Sequence, residues 1–401
     1  MASSIHRSPP HLGLADRLNG IAPSMTLAIT AKARALKAQG LDVCGFGSGE
    51  PDFDTPQHIK DAAIAALQRG ETKYGSVEGL LQLRQAIASK LATDNNLTYQ
   101  PSQIQVSGGA KQALYNLLIA MVNPGDEVII PAPYWLSYPE MVRLAGGTPI
   151  ILQTSEAQRF KITPEQLDAA VTPRTKVLIL GSPSNPTGVM YSPSELAAIA
   201  EVIVDRDLLV ISDEIYEKLA YGDVEFQSIG SFGPDIFART ITVNGFSKAY
   251  AMTGWRLGYA AGPQEIVDGA NVVQSHSLSN VTTFAQYGAL AALQGDQSAI
   301  AVMREAFAKR RQIMYDAVVA IPGVTCVRPD GAFYVFPSIA ATGLDSMTFS
   351  QRFLDEEQVA VVPGRAFGSD HHIRFSYATD METIKKGMTR FTRFVSRLSE
   401  R

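Results

Sequence analysis

Cysteine is nearly absent from this sequence, which carries only Cys44 and Cys326 among 401 residues. The two residues lie far apart and outside any Cys-x-x-Cys spacing, so the pattern favours neither a disulfide framework nor a zinc site. We expect no bound metal. Such low cysteine use is typical of a reducing compartment, and we therefore expect a cytoplasmic protein.

A strong charge of either sign is also lacking. The formal net charge is −4, which gives no electrostatic basis for binding nucleic acid or an acidic membrane surface. No apolar run approaches the roughly 20 residues that a membrane-spanning helix needs. The start of the chain lacks the apolar stretch of a secretory signal. It is rich in hydroxyl groups and has no acidic residue before Asp16, so an irregular terminus and a trimmed organelle-targeting remnant both fit it.

The chain does have length and a regular alternation of elements. A chain of 401 residues exceeds what one hydrophobic core usually serves, which predicts two lobes. Short apolar runs separated by helical stretches are typical of a largely parallel sheet covered on both faces. We place this α/β lobe at residues 51–295, and we assign residues 1–50 and 296–401 to a smaller α+β domain. The apolar runs are EVIIPA from Glu127, KVLILGS from Lys176, LLVISD from Leu208 and TITVNG from Thr240.

A pair of glycines precedes a helical run in SGGAKQALYNLLIAM, which begins at Ser107. Free backbone N–H groups and the positive end of the helix dipole at such a start favour phosphate binding. Taken alone, the segment is more often an ordinary glycine-rich turn before a helix.

A proline-rich turn, SPSNPTG, follows the run KVLILG and contains Asn185. It falls at the carboxyl end of a predicted strand, where open α/β sheets bind their ligands. The Asn185 amide could donate a hydrogen bond to a ring substituent there, although a single asparagine in a turn carries no functional meaning by itself.

Asp213 ends the apolar run LLVISD, with Tyr216 close behind it. A carboxylate at the end of a buried strand must be paired or hydrogen-bonded to stay ionised. The residue could cap a following helix. It could equally form a salt bridge to a protonated heterocyclic nitrogen.

Lys248 follows the run TITVNG, within the segment NGFSKAYAMTGWRLGY. At the carboxyl edge of the sheet, partly desolvated and near Arg256, its amine would have a lowered pKa and could act as a nucleophile. A surface lysine in a loop is the plain alternative. Ser247 and Arg256 favour the functional interpretation, because the three side chains suit a phosphate beside a carbonyl. Pyridoxal phosphate carries both groups, and its enzymes supply a lysine and an aspartate.

These four motifs, in this order, resemble the fold-type I pyridoxal-phosphate enzymes, specifically the class I aminotransferases. They are similar to the bacterial-type aspartate aminotransferase branch, which also includes prephenate aminotransferases. The resemblance covers nearly the whole chain and implies an α/β fold with a largely parallel central sheet and a smaller α+β domain. The further motifs that carry it are GEPDFDTP from Gly49, YGSVEGLLQLR from Tyr74, PAPYWLSYPE from Pro131, GAFY from Gly331, VVPGRAFG from Val361 and IRFSYA from Ile373.

The resemblance implies a role for each matching residue around the cofactor. Lys248 would bind pyridoxal 5'-phosphate covalently and move the substrate proton. Asp213 would pair with the ring nitrogen. Tyr216 and Asn185 would form hydrogen bonds to the ring's 3-oxygen. Tyr74 would reach the phosphate in the neighbouring subunit, which implies a homodimer with shared sites. Trp135 would stack on the ring. The residues that would hold the phosphate are Gly109, Ala110 and Lys111 (the last two through backbone groups), Ser247 and Arg256.

The resemblance also implies the substrate contacts. Arg374 would bind the α-carboxylate, as a planar guanidinium can do with two parallel hydrogen bonds. Lys111 and Thr26 match positions associated with a side-chain carboxylate or with prephenate, although Lys111 would equally fit a solvated first turn. Gly245 departs from relatives that carry a second phosphate-binding serine, so we expect a backbone N–H to compensate. The remaining substrate contacts carried over are Gly49, Trp135 and Asn185.

The function that follows is amino-group exchange between L-aspartate or L-glutamate and 2-oxo acids by a ping-pong mechanism. The alternatives on the same scaffold are a prephenate, aromatic or alanine aminotransferase, or a carbon–sulfur lyase. A regulator built on such a domain would add a DNA-binding segment in front, and we expect none. The glycines of GFGSGEP, near Gly45, do not predict a dinucleotide site, because Glu-Pro follows where that motif needs a helix.

Overall fold

The structure is a computed structural model that describes residues 13–222 and 225–399. Residues 1–12 lie outside these ranges, so the expectations for the start of the chain stay predictions. Within the ranges we find no helical stretch with both the length and the apolar character of a membrane span. The same part of the chain contains no group of three or more His, Cys, Asp or Glu residues that could hold a metal ion.

Within residues 13–222 and 225–399, the strands form one large sheet of seven strands and two small sheets of three and two strands. In chain order the strands are β1 (Cys44–Gly45), β2 (Ile104–Ser107), β3 (Glu127–Ala132), β4 (Thr148–Gln153), β5 (Thr175–Gly181), β6 (Leu209–Asp213), β7 (Thr240–Gly245), β8 (Gly258–Ala261), β9 (Tyr334–Val335), β10 (Val359–Ala360), β11 (Val362–Pro363) and β12 (Ile373–Ser376).

The central sheet has the strand order β2-β8-β7-β6-β5-β3-β4. Pairing is parallel from β4 through β3, β5 and β6 to β7. Strand β8 runs antiparallel to both of its neighbours, β2 and β7. The predicted α/β architecture with a largely parallel sheet is therefore confirmed.

Helices cover the sheet and build the rest of the molecule. Two of them begin with a reciprocal capping box, in which the N-cap hydroxyl and the third helical side chain satisfy each other's backbone N–H groups. The helices are α1 (Met25–Ala38), α2 (Gln57–Gln68), α3 (Leu81–Asn95), α4 (Ala110–Met121), α5 (Ser137–Leu144), α6 (Pro164–Ala170), α7 (Pro193–Asp205), α8 (Pro234–Phe237), α9 (Gln264–Ser277), α10 (Thr283–Gln294), α11 (Ser298–Val319), α12 (Ser346–Glu357) and α13 (Met381–Ser399).

The continuous apolar runs in the sequence reflect burial of the sheet on both faces. Val177 and Ile179 of β5 pack in one core cluster with α4 and α5. Leu178 and Leu180 of the same strand pack in another cluster with α7. Because successive side chains of a strand point to opposite faces, a strand buried on both sides carries mainly apolar residues along its whole length.

The smaller sheets and the last three helices share a separate core. Strands β11, β12 and β9 form an antiparallel sheet, and β1 pairs in parallel with β10. Phenylalanines of α11, α12 and α13 fill this core together with Cys44 and Phe46 from the start of the chain. The domain boundaries stay predictions, at 51–295 for the larger part and at 1–50 with 296–401 for the smaller.

Close glycine contacts bring the start of α4 against the end of β7. A Cβ atom added to Gly245 would lie 2.9 Å from the Gly258 Cα, and one added to Gly258 would lie 2.2 Å from the Ala110 backbone nitrogen. Neither position can therefore carry a side chain without a backbone shift. Two predicted functional segments, the glycine pair before α4 and the lysine after β7, thus become neighbours.

Candidate active site

The carboxyl ends of β3, β5, β6 and β7 border one cavity of about 450 Å³. Gly109 is not part of its lining but touches Arg256 at its edge, and Tyr74 also stands apart from it. The predicted site residues that line the cavity are Thr26, Gly49, Ala110, Lys111, Trp135, Asn185, Asp213, Tyr216, Ser247, Lys248, Arg256 and Arg374.

Lys248 extends into this cavity from the segment after β7. Its Nζ donates a hydrogen bond to the Gly49 carbonyl oxygen, and within the described residues no carboxylate forms an ion pair with it. Removal from water lowers the pKa of this amine to about 8, Glu50 works in the opposite direction, and Arg374 adds to the decrease. An amine with this pKa is partly neutral near physiological pH and can attack a carbonyl carbon.

Asp213, the last residue of β6, presents a buried carboxylate to the same cavity. Its Oδ2 accepts a hydrogen bond of 2.7 Å from the Tyr138 hydroxyl, and its Oδ1 accepts one of 3.3 Å from the Ile215 backbone N–H. Burial raises the pKa of this carboxyl, while the Tyr138 bond and the Lys248 charge lower it. In the described ranges Asp213 has no cation at ion-pair distance, so its charge is available to a cationic ligand group.

Backbone N–H groups that can bind an anion lie where α4 begins. No side chain caps this helix at Gly109, whose φ is 92°. A Cβ atom at Gly109 would come within 2.6 Å of the Arg256 Nη2. The guanidinium of Arg256 donates to the carbonyl oxygens of Thr253 and Gly108, at 2.9 and 3.2 Å, and no carboxylate in the described part of the chain neutralises it. A helix N-terminus beside such an arginine suits a phosphate.

The backbone N–H that would compensate for the missing serine is not that of Gly245 itself. The Gly245 N–H donates at 2.7 Å to the side-chain Oδ1 of Asn244, so it does not point to a ligand. The glycine itself is explained by packing, because a side chain here would meet Gly258 and Leu257. Backbone donors for an anion are instead provided by the first turn of α4.

Arg374 lies on β12 and is 1% exposed. Its Nη1 donates to Asn185 Oδ1 at 2.8 Å and its Nη2 to the Gly47 carbonyl oxygen at 2.9 Å. The guanidinium carbon lies 4.4 Å from the Tyr334 ring centroid and 5.0 Å from that of Phe367. The buried Nε has no partner, and burial lowers the pKa of this guanidinium. A buried cation without a carboxylate partner is costly, and a ligand carboxylate would relieve that cost.

Tyr216 and Asn185 line the same cavity as Arg374. The Tyr216 hydroxyl shares a hydrogen bond of 2.8 Å with the Tyr334 hydroxyl. Since the Oδ1 of Asn185 is occupied by Arg374, its amide NH₂ group is the part able to donate to a ligand. The predicted contacts of Tyr216 and Asn185 with a ring oxygen stay predictions.

Lys111 lies in the first turn of α4, near Trp135. Its Nζ is 4.9 Å from the Trp135 ring centroid. Desolvation, and then the charge of Arg256, lowers the pKa of this amine. Thr26, from α1, lines the same cavity, and its buried Oγ1 has no hydrogen-bond partner. The site therefore has polar groups for a second acidic group of a ligand, beyond the one that Arg374 suits.

Sequence reasoning missed several residues of this site. Tyr138, Tyr334 and Phe367 lie in quoted motifs but received no role, because only the folded chain shows which polar atom each ring faces. Arg34 was missed although a sequence signal existed. It follows Thr26 and Thr30 at intervals of four residues, so the three share one face of α1, and all three line the cavity.

A buried acidic cluster lies behind Asp213. The side-chain NH₂ of Asn95 is 3.1 Å from Glu214 Oε2, 2.7 Å from Glu217 Oε2 and 2.8 Å from Ser228 Oγ. It has only two hydrogens for these three acceptors. Lys90 donates to Glu217, whereas Glu214 has no cation of its own. Burial, with the charge of Glu217, raises the pKa of Glu214 to about 7.

This cluster predicts a loss of stability as the pH rises toward 8. The folded chain keeps a proton on Glu214 up to a pKa of about 7, while the unfolded chain releases it near 4.5. The stabilisation that comes from this proton is therefore fully present below the pKa of the unfolded chain. It is lost as the pH rises through the pKa of the folded chain. The difference between these two pKa values corresponds to about 3 kcal/mol in the free energy of unfolding. Chemical denaturation at pH 5 and pH 8 provides the test. The free energy of unfolding should differ less between the two pH values in Glu214→Gln than in the unsubstituted chain.

The exposed Glu201 of α7 provides the matched control, because Glu201→Gln changes the same functional group on the surface. We expect Glu201→Gln to keep the pH dependence of the original chain. An unchanged pH dependence in Glu214→Gln would contradict the assignment of the proton to Glu214.

Comparison with known proteins places this arrangement in a family. A model of the family described as aminotransferase class I and II matches residues 42–391. The chain is 50% identical to an aspartate aminotransferase of Geobacillus stearothermophilus over 95% of this chain and 98% of that one. It is 49% identical to an aspartate/prephenate aminotransferase of Cereibacter sphaeroides, over 96% and 99%. The structure of aspartate aminotransferase from Thermus thermophilus with maleate matches with a TM-score of 0.92 at 44% identity, over 95% and 99%.

Proposed function

The chain belongs to the class I and II aminotransferases, and from this premise we propose that it is a pyridoxal 5'-phosphate-dependent aspartate aminotransferase. It would exchange the amino group between L-aspartate or L-glutamate and the corresponding 2-oxo acids. One observation carries the proposal. The cavity brings together a buried carboxylate at Asp213, an amine of lowered pKa at Lys248 and a buried guanidinium at Arg374, none with a counter-ion in the described residues.

The residues present fit this cofactor. Asp213 would pair with the protonated ring nitrogen and Lys248 would bind the aldehyde carbon. The uncapped start of α4 beside Arg256 suits the phosphate, and Gly109 leaves the space that a Cβ atom would fill. Ala110 and Lys111 would contact the cofactor through their backbone groups. The other residues that would contact it are Trp135, Asn185, Tyr216 and Ser247.

When bound, the cofactor supplies an aldehyde carbon that takes up the amino group and a ring that withdraws electron density. Lys248 would hold the group covalently and carry the proton to and from the substrate α-carbon. Its pKa of about 8 lets it give and take a proton near neutral pH. Asp213 would keep the ring nitrogen protonated, and Tyr216 with Asn185 would donate to the ring oxygen. Arg374 would fix the α-carboxylate and so orient the bond to be broken.

We also propose a homodimer in which Tyr74 of one subunit completes the site of the other. Tyr74 is 91% exposed, and Val272 of α9 is 61% exposed. Gln274 of α9 donates to the Val77 carbonyl oxygen at 2.7 Å and thus ties the Tyr74 segment to that helix. Large exposed aromatic and aliphatic side chains near a functional site are typical of an interface. Sedimentation velocity would test this proposal.

A cytoplasmic location is part of the proposal as well. Cys44 and Cys326 are both free thiols, with Cys44 buried, as suits a reducing compartment. The substrates would be small amino acids and 2-oxo acids, and nothing in the charge of −4 favours nucleic acid.

Prephenate is the second candidate acceptor, because it carries a carboxylate in addition to its oxo-acid group. Lys111, Thr26 and Arg34 line the part of the cavity provided by α1 and α4. The test compares initial rates with glutamate as donor and oxaloacetate, phenylpyruvate, pyruvate or prephenate as acceptor. A rate with oxaloacetate that exceeds that with phenylpyruvate supports the proposal. Equal use of phenylpyruvate and pyruvate, with little use of oxaloacetate, would contradict it.

Lys111→Ala should reduce the use of dicarboxylic substrates selectively. A hydrogen bond to a charged group contributes about 1.5–3 kcal/mol, so kcat/KM for aspartate should fall roughly 10- to 100-fold. The value for alanine should change about twofold or less, since its methyl group offers nothing for the Nζ to bind. Steady-state kinetics with both amino acids measure the difference.

The control for this substitution is Lys309→Ala, which removes an exposed lysine of α11 far along the chain from the site. We expect it to leave both kcat/KM values unchanged. An equal decrease in kcat/KM for aspartate and alanine in Lys111→Ala would show that Lys111 does not bind the substrate side chain.

A further inference from the structure

Tyr138 belongs to α5, and its buried hydroxyl lies beside Asp213 at the end of β6. The sequence analysis assigned it no role. Its hydroxyl donates at 2.7 Å to Oδ2 of Asp213, and both residues are at most 6% exposed. The Ile215 N–H contacts the other oxygen of the carboxylate at 3.3 Å. Each Asp213 oxygen therefore has one donor, and the donor at Oδ2 comes from a different segment of the chain.

The position of the Tyr138 hydroxyl is fixed by its surroundings. The Tyr138 backbone N–H donates to the Trp135 carbonyl oxygen at 2.9 Å, and the two rings meet edge to face with centroids 5.4 Å apart. At the end of β5, a Cβ atom on Gly181 would lie only 3.1 Å from the Tyr138 oxygen. The glycine thus leaves the space that the hydroxyl occupies, and Tyr138 connects two proposed cofactor contacts, Trp135 and Asp213.

The direction of this hydrogen bond is set by chemistry. Burial, together with the Asp213 charge, holds the pKa of the Tyr138 hydroxyl well above its usual value, so the phenol keeps its proton and is a permanent donor. A donor to a carboxylate favours the ionised form over the protonated one. Tyr138 therefore acts against the tendency of burial to neutralise Asp213.

We propose that Tyr138 is a positioning residue that holds the Asp213 carboxylate in one orientation and in its ionised form. The inference rests on the proposed function, because an ionised Asp213 matters most when it faces a ring nitrogen. Tyr138 itself would not touch the substrate. Its effect would pass through Asp213, with Trp135 held in place by the same ring.

The test is Tyr138→Phe, which removes the hydroxyl and keeps the ring packing. The matched control is Tyr191→Phe, since Tyr191 is also buried in the cavity wall but its hydroxyl accepts from the Ile162 N–H at 3.0 Å. The first readout is the affinity of each apo-protein for pyridoxal 5'-phosphate across pH 5–9. We expect Tyr138→Phe to bind the cofactor roughly tenfold more weakly, as the loss of one hydrogen bond to a charged group implies.

The second readout is the pH profile of kcat/KM for aspartate. Loss of the donor should move the acidic limb of the profile to higher pH by about one unit or more, with kcat reduced more than KM is raised. Tyr191→Phe should keep the original profile. A purely structural role would lower the unfolding midpoint of Tyr138→Phe without moving the acidic limb.

The possible outcomes separate this inference from the proposed function. If the unsubstituted chain does not bind pyridoxal 5'-phosphate at all, the proposed function fails. If it binds the cofactor and transaminates aspartate, but Tyr138→Phe keeps its affinity and its acidic limb, the role of Tyr138 alone is overturned. A shift of the acidic limb and weaker binding in Tyr138→Phe, absent from Tyr191→Phe, supports the inference.

Discussion

Replacing Lys248 by alanine is expected to lower kcat for transamination of aspartate by about 10²- to 10⁴-fold, the effect of losing a general acid–base group. The same substitution removes the proposed covalent attachment of the cofactor. The cavity offers no second amine in an equivalent place, because Lys111, the other lysine of its lining, lies beside Trp135 in the first turn of α4. Steady-state kinetics at saturating cofactor measure the loss.

Two further measurements distinguish this chemical loss from damage to the fold. Lys248→Ala should unfold at a temperature close to that of the unsubstituted apo-protein. Among the residues that the structure describes, the amine makes one hydrogen bond, to the Gly49 carbonyl oxygen. Lys248→Arg keeps a cation at the same position and should be nearly as inactive, because a guanidinium cannot release its proton near neutral pH. A Lys248→Ala variant that retains a tenth of the original kcat would refute the assigned role.

Replacing Arg374 by alanine should raise KM for every amino acid substrate. Truncating one partner of a buried, hydrogen-bonded charge pair costs about 2–5 kcal/mol, which predicts a loss in kcat/KM of roughly 30- to 5,000-fold. Because every amino acid has an α-carboxylate, aspartate and alanine should lose similar factors. This pattern differs from that expected for Lys111→Ala, in which only kcat/KM for the dicarboxylic substrate falls.

The conservative variant Arg374→Lys sharpens this test. Lysine keeps the positive charge but lacks the planar fork that can bind a carboxylate with two parallel bonds. It also cannot fill the space between the Tyr334 and Phe367 rings in the same way. We expect an intermediate KM for Arg374→Lys. An unchanged KM in Arg374→Ala would mean that another residue binds the α-carboxylate.

Much of the site could be predicted because the functional residues stand where apolar strands end. The runs before Asp213 and Lys248 are rich in apolar residues, as strands β6 and β7 require for burial on both faces. The charged residue that follows each run therefore lies near the carboxyl edge of the sheet. Parallel strands bring these edges together, so residues far apart in sequence could be placed in one cavity before the fold was known.

The parts that could not be predicted depend on packing between elements. Strand β8 is only four residues long and runs antiparallel within the sheet, and no periodic pattern distinguishes so short a segment from a loop. The direction of the Tyr138 hydroxyl depends on how α5 lies over the end of β6. Likewise, only the folded chain shows that the Gly245 N–H donates to the adjacent Asn244 side chain.

The central claim is that Lys248 binds pyridoxal 5'-phosphate covalently, and chemical trapping tests it most directly. The purified protein is incubated with the cofactor at pH 8, treated with borohydride and digested, and the labelled peptide is identified by mass spectrometry. Lys248→Ala, handled in the same way, is the control. The account predicts one dominant label on Lys248, and none at the active site of the variant. A label found mainly on Lys111 or on surface lysines, equal in both proteins, would contradict it.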